Sequence, residues 1–144
     1  MLYLDTGCLL KLYYPEPESA AVVTAVSGEV IVLTPLHELE IGTAMQLKVL
    51  RGEATPEQAA AAAGSVRDDV TAGKLIEVDV DWPVVWRDAA RLAQPYAATT
   101  GCRTLDILHC ALAKALNATR FVSSDKRQIA VARGGFAGAG DLIF

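Results

Sequence analysis

The chain has 144 residues, a length for one domain whose core needs no disulfide or metal staple. Hydrophobic residues make up 52% and charged residues 21%, a globular composition, and the net charge of −4 excludes a protein that coats nucleic acid through bulk charge. The charge is uneven: residues 1–100 carry 7 Lys/Arg against 14 Asp/Glu, and residues 101–144 carry 6 against 3, so a basic surface is expected near the C-terminal end.

Met1–Leu4 reads as a buried strand that delivers Asp5 to its carboxyl end, and Asp5–Tyr14 as a short helix stopped by Pro15. A second helix opens at Pro17-Glu18-Ser19, runs to about Val26 and stops at Ser27-Gly28. Residues 29–33 are β-branched and continuous, as in a strand covered on both faces. Thr34-Pro35 caps a helix to Arg51, with Leu36, Leu39, Ala44, Leu47 and Leu50 as its expected apolar stripe. Thr55-Pro56 starts an alanine-rich helix to about Thr71. Leu75–Val78 is a third strand, and Asp81-Trp82-Pro83 caps a helix from Val84 to about Ala98. Thr104 or Leu105 opens a helix through Leu116 that is apolar on most faces. Arg120–Ser123 is a fourth strand, and Ser124-Asp125 caps a last helix to about Arg133. Gly134, Gly135, Gly138 and Gly140 read as a loop, and Leu142-Ile143-Phe144 as a closing edge strand. Strands alternating with helices imply an α/β fold with a mostly parallel sheet, one domain over residues 1–144.

Cys8, Cys102 and Cys110 are odd in number and lack metal spacing, so they read as small buried hydrophobes in a reducing cytoplasm. Asp5 interrupts the start of the chain and no basic stretch precedes it, which argues against a signal peptide. Glu29 and Lys114 break the longest apolar runs, so no membrane span is expected.

Four acids draw attention. Asp5 sits at the open end of a buried strand, where ligands bind in open α/β sheets. Glu40 lies beside the apolar positions of its helix, Asp106 starts the most apolar helix, and Asp125 follows the fourth strand. Three of them have a structural alternative: Asp125 as a helix cap, Asp106 as a complement to the helix dipole, Glu40 as a solvated residue. If they gather, each like-charge pair at about 4 Å costs about 4 kcal/mol at an effective dielectric near 20, which calls for a cation. Carboxylates without Cys or His ligands suit Mg²⁺ or Mn²⁺ and phosphoryl chemistry. His37 and His109 lack metal spacing, and His109 reads as a packing or supporting residue. Arg103, Lys126 and Arg127 flank the last two acids and are candidate contacts to substrate phosphates; a solvated basic face is the alternative.

Leu4-Asp5-Thr6 entering Leu10-Lys11-Leu12-Tyr13, Leu39-Glu40 with Ala44 one turn later, Thr104-Leu105-Asp106-Ile107-Leu108-His109-Cys110-Ala111-Leu112-Ala113, and Ser123-Ser124-Asp125-Lys126-Arg127 follow one another in this order. In order, spacing and strand–helix context the set resembles PIN-domain ribonucleases, most closely the VapC-type toxins of bacterial toxin–antitoxin pairs. The resemblance implies a three-layer α/β/α fold and a Mg²⁺- or Mn²⁺-dependent endoribonuclease. It makes Asp5, Glu40 and Asp106 the metal-holding carboxylates, Asp125 a fourth acid, and Thr6 and Ser124 polar supports. It also implies a homodimer and an antitoxin whose basic segment blocks the acidic site. Gly7 departs from the pattern, since a serine often follows the Asp-Thr pair. Two other readings stay open: a different metal-dependent phosphohydrolase on a similar sheet, which Gly7 disfavours if an aspartyl nucleophile needs a second acid two residues on, and a non-catalytic interaction module using Trp82, Trp86 and the apolar helix around 21–26.

Overall fold

The structure is a computed structural model that describes residues 1–135 and 139–142. In chain order the elements are β1 (Leu2–Leu4), α1 (Thr6–Leu10), α2 (Ser19–Val26), β2 (Ile31–Leu33), α3 (Pro35–Leu50), α4 (Pro56–Thr71), β3 (Leu75–Glu77), α5 (Trp82–Thr100), α6 (Thr104–Ala115), β4 (Arg120–Ser123), α7 (Lys126–Gly135) and β5 (Ala139–Leu142). The five strands lie in the order β3-β2-β1-β4-β5, and every neighbouring pair is parallel.

Alternation along the strands builds the three layers. Leu2, Leu4, Ile31, Leu33 and Val122 face one side and pack with Leu9, Val22, Ile41, Met45, Ala59 and Val66 of α1–α4. Tyr3, Val32 and Phe121 face the other and pack with Val85, Leu108 and Ile129 of α5–α7. Both faces of β1 are thus covered, which is why its three residues are all apolar or aromatic and buried. Each fully buried aliphatic side chain of these clusters is worth about 1.5–3 kcal/mol relative to exposure.

Several expectations are corrected here. The first helix ends at Leu10 and continues as turns to Tyr14, because Pro15 restricts the residue before it. The core line of α3 is Leu36, His37, Ile41 and Met45, whereas Leu39, Leu47 and Leu50 of the expected stripe are exposed. The last helix runs on through Gly134 and Gly135. A Cβ at these positions would lie 2.4 Å from Tyr96 Oη and 2.7 Å from Leu92 Cδ2, so the glycines let α7 approach α5 closely. The edge strand starts at Ala139 and takes in Gly140; its pairing with β4 overrides glycine's poor strand propensity. Ile143 and Phe144, read as part of that strand, lie outside the described residues.

From β1 the chain steps outward to β2 and β3 on one side; β4 and β5 lie on the other. The order therefore switches between β1 and β4, and the crevice at the carboxyl ends of those two strands is where such sheets hold ligands. Asp5 leaves β1 there and Ser124-Asp125 leaves β4.

Candidate active site at the carboxyl edge of the sheet

Asp5 is only 4% exposed. Its backbone N–H still belongs to the sheet, donating to Val122 O at 3.0 Å. Its side chain caps α1: Oδ1 accepts the Cys8 N–H at 2.7 Å, as the N-cap position favours. Oδ2 accepts the Ser123 hydroxyl, whose oxygen in turn accepts the Asp125 N–H at 2.9 Å. One buried hydroxyl therefore links the first acid to the backbone of the last.

A second chain of hydrogen bonds begins one residue later. The Thr6 hydroxyl donates to Glu40 Oε2, and His109 Nε2 meets the same oxygen at 2.6 Å. His109 Nδ1 meets the fully buried Tyr3 hydroxyl at 2.8 Å. With Nε2–H donating to the carboxylate, a neutral ring accepts the Tyr3 O–H at Nδ1 and a protonated ring donates to the Tyr3 oxygen instead. Burial draws the Glu40 carboxyl upward, but the hydrogen bond and charge of His109, with Thr6, outweigh it and hold the group below its ordinary value. His37 anchors the helix that carries Glu40: the Thr34 N–H donates to its Nδ1 at 3.1 Å and its Nε2–H donates to Leu4 O at 2.9 Å. Burial, with the neighbouring His109, lowers His37 to about 3, so it stays neutral.

Asp106 and Asp125 are held differently. Asp106 Oδ2 accepts the Arg103 N–H at 2.9 Å at the start of α6, and Oδ1 accepts Gln128 Nε2–H at 3.3 Å. Asp125 Oδ1 accepts the Arg127 N–H at 2.7 Å, and the Arg127 guanidinium grips the carboxylate through Nε and Nη2, the latter at 2.6 Å. That hydrogen bond holds the Asp125 carboxyl below the usual carboxylate range. The capping alternative for Asp125 is thus realised in the fold, and Asp106 stands in the first turn of α6, where its dipole alternative places it. Beneath them, burial raises the Cys110 thiol, and the charges of Asp106, Asp5 and Asp125 push the same way. Cys8, Cys102 and Cys110 are all buried and free.

Some supports differ from expectation. The hydroxyl on Asp5 belongs to Ser123; Ser124 instead accepts from Lys11 Nζ at 3.2 Å. The parallel register sets Leu4 opposite Val122, so position 123 follows as the neighbour of Asp5, a consequence visible only once the pairing is known. Lys11 is 9% exposed and also within 3.8 Å of Glu16 and Glu18. Gln128, on α7, went unread because an amide in an amphipathic helix carries no signal of its own. His109 takes the supporting role of the two expected for it, as the partner of Glu40. Arg103, Lys126 and Arg127 are exposed beside these acids, with Arg127 committed to Asp125.

The donor set at this edge is of hard oxygens: the carboxylates of Asp5, Glu40 and Asp106, flanking hydroxyls, and the buried Gln128 Oε1, which has no hydrogen-bond partner. In kind it fits a small divalent cation. Among the described residues no group of three Asp, Glu, His or Cys side chains is arranged to hold an ion, the acids being turned instead to their polar partners.

Among solved structures, the fold matches the crystal structure of FitAcB from Neisseria gonorrhoeae, with a TM-score of 0.61 and 18% sequence identity over 97% of this chain and 96% of that one. No curated protein matches in sequence. The family model described as "PIN domain" matches residues 2–134, from the start of β1 into the last turn of α7. PIN domains are in general nucleases and typically use divalent metal ions. With Asp5, Glu40, Asp106 and Asp125 all inside the matched span, the chain belongs to the PIN-domain family.

Proposed function

We propose that the protein is a Mg²⁺- or Mn²⁺-dependent endoribonuclease and the toxin of a VapC-type toxin–antitoxin pair. The observation that carries the reading is a buried carboxylate, Asp5, fixed from both sides at the topological switch point, with Glu40 tied in beside it through Thr6. Burying an acid is costly unless it is hydrogen-bonded, and here a bond to each oxygen holds the carboxylate in place.

In this reading Asp5, Glu40 and Asp106 hold the cation, which when bound polarises a phosphate oxygen and lowers the pKa of a water. The chain's own groups prepare the site. Ser123 and the Cys8 N–H fix the Asp5 carboxylate, and Thr6 and His109 set the direction of Glu40. Asp125 orders the turn after β4 through its own capping bonds. Arg103, Lys126 and the remaining N–H groups of Arg127 face the solvent at the same edge and take RNA phosphates, offsetting the repulsion between acids and substrate. Asp5 is not read as a nucleophile: it is buried, both its oxygens are engaged, and no acid stands at position 7.

The acidic edge would receive a basic segment of the antitoxin. A homodimer is the proposed assembly, supported by Leu39 and Leu50, which stand 68% and 81% exposed three turns apart on α3. The three buried free thiols suit a reducing cytoplasm. No helix among the described residues is long and apolar enough to cross a membrane. The deciding experiment is cleavage of RNA by the purified protein with Mg²⁺ or Mn²⁺, and its loss in Asp5→Asn and Asp106→Asn. Variants that cut as fast as the parent would reject the site, and a metal-independent parent would reject the mechanism.

A further inference from the structure

Gln128 is 5% exposed, and its Oε1 is the sole buried side-chain nitrogen or oxygen among the described residues without a hydrogen-bond partner. Every other polar group of this residue is engaged at the acidic edge. Nε2–H donates to Asp106 Oδ1 at 3.3 Å, and the backbone carbonyl accepts the Cys110 thiol at 3.6 Å. The backbone N–H reaches the Asp125 carboxylate. Chemistry fixes the orientation of the amide. Turning it over would set a carbonyl oxygen against the Asp106 carboxylate, acceptor facing acceptor. The unpartnered atom is therefore an acceptor, beside a carboxylate, waiting for a donor. Buried acceptors of this kind are satisfied by water in folded proteins. A side chain present only to fill space would be better served by Leu or Met, which leave no unpaired oxygen.

We propose that Gln128 is a positioning residue for the cation site: Nε2–H fixes the Asp106 carboxylate, and Oε1 accepts a hydrogen from a water of the cation's hydration shell. This rests on the reading of Asp106 as a metal-holding acid. Mg²⁺ keeps several of its waters when bound, so outer partners of this type are required, and such partners tune metal affinity.

The test is Mn²⁺ binding, followed by the paramagnetic resonance signal of the free ion, together with the melting temperature of the metal-free protein. Gln128→Met keeps the length and removes both polar atoms. The expected result is a metal-free melting temperature equal to or above the parent's, with Mn²⁺ affinity weakened about 10–100-fold, the range seen when such outer partners are removed. Parental affinity in the variant, whatever its melting temperature, overturns this proposal alone. Failure of the parent to bind Mn²⁺ overturns it together with the metal reading. Should Gln128→Met not fold, a crystal of the parent soaked in Mn²⁺ decides: a metal-bound water on Oε1 supports the proposal, and a dry or otherwise bonded Oε1 overturns it.

Discussion

The two sides of the acidic edge are built by different physics. On the β1 side, Asp5 and Glu40 are held by Ser123, Thr6 and His109, partners far away in the chain and mostly buried. On the β4–α7 side, Asp106 and Asp125 take the backbone N–H groups of Arg103 and Arg127, two or three residues away, in capping geometry. The first side exists only once the sheet and both layers of helices have formed. The second is specified mainly by local sequence, with Gln128 on Asp106 as its long-range partner. Removing a buried long-range partner leaves unpaired polar groups behind, while removing an exposed local one returns its partner to water. The two sides therefore fail by different amounts.

The largest effect is expected at the centre of the β1 side. Asp5→Asn keeps the volume and can still accept the Cys8 N–H through its one amide oxygen, but its amide nitrogen donates towards Ser123 Oγ where the carboxylate accepted, and the charge is gone, so RNA cleavage should fall by roughly 10²–10³-fold, the scale of losing one preorganised electrostatic group. Circular dichroism should remain that of the parent. A variant that loses its fold instead would show that Asp5 acts as a cap and no more.

His109→Phe should cost stability of about 2–4 kcal/mol, because it strands both the Tyr3 hydroxyl and one side of Glu40 in the core. Tyr3→Phe in the same chain should recover part of that loss, since the hydroxyl then needs no partner. A double-mutant cycle from urea denaturation measures the coupling, and strict additivity would remove Tyr3 from the chain of bonds. By contrast, Arg127→Ala on the other side should cost far less, because the guanidinium lies in solvent and water takes its place on Asp125. A loss as large as that of His109→Phe would erase the distinction between the two sides.

The pH dependence separates the sides further. His37 is held neutral down to about 3, while the unfolded chain takes up a proton near 6.5. Between those values the unfolded state binds more protons, so stability is fully present above 6.5 and is lost as pH falls toward 3. The slope from this one group reaches at most about 1.4 kcal/mol per pH unit. Glu40 and Asp125, both depressed, contribute stability lost only as pH falls below their ordinary values of 4.5 and 3.8. Denaturation at pH 7, 6 and 5 should thus show a decline that His37→Gln flattens. An unchanged slope in that variant would place the proton elsewhere.

How much of this was legible in the sequence follows the same division. The strand ending in Asp5, the capped helices and the parallel α/β order could be read because local pattern and global fold agree there. Asp125 could be found because a cap is local, and Asp106 because an acid at the start of the most apolar helix stands out in the sequence. Ser123, Lys11 and Gln128 could not, since each matters through a neighbour set by sheet register or helix docking. The stripe of α3 was misread for a related reason. Leucine marks a core only when the helix is turned that way, and here His37, Ile41 and Met45 take the inward positions while Leu39 and Leu50 point outward.

The smallest effect is expected at Gly7, on the exposed surface of α1. Gly7 is exposed, lies in α1 and has no positive φ, so it needs none of glycine's conformational freedom. A Cβ there would meet Asp5 Oδ1 at 3.6 Å, an ordinary contact. Gly7→Ser should therefore stabilise the protein by a few tenths of a kcal/mol, the difference in helix propensity, and raise the melting temperature by about 1–2 °C. It would also set a hydroxyl beside the buried carboxylate without disturbing the Cys8 and Ser123 bonds. A fall in melting temperature would mean that a side chain at position 7 does press on Asp5, and that the β1 side extends to the surface of α1 rather than ending beneath it.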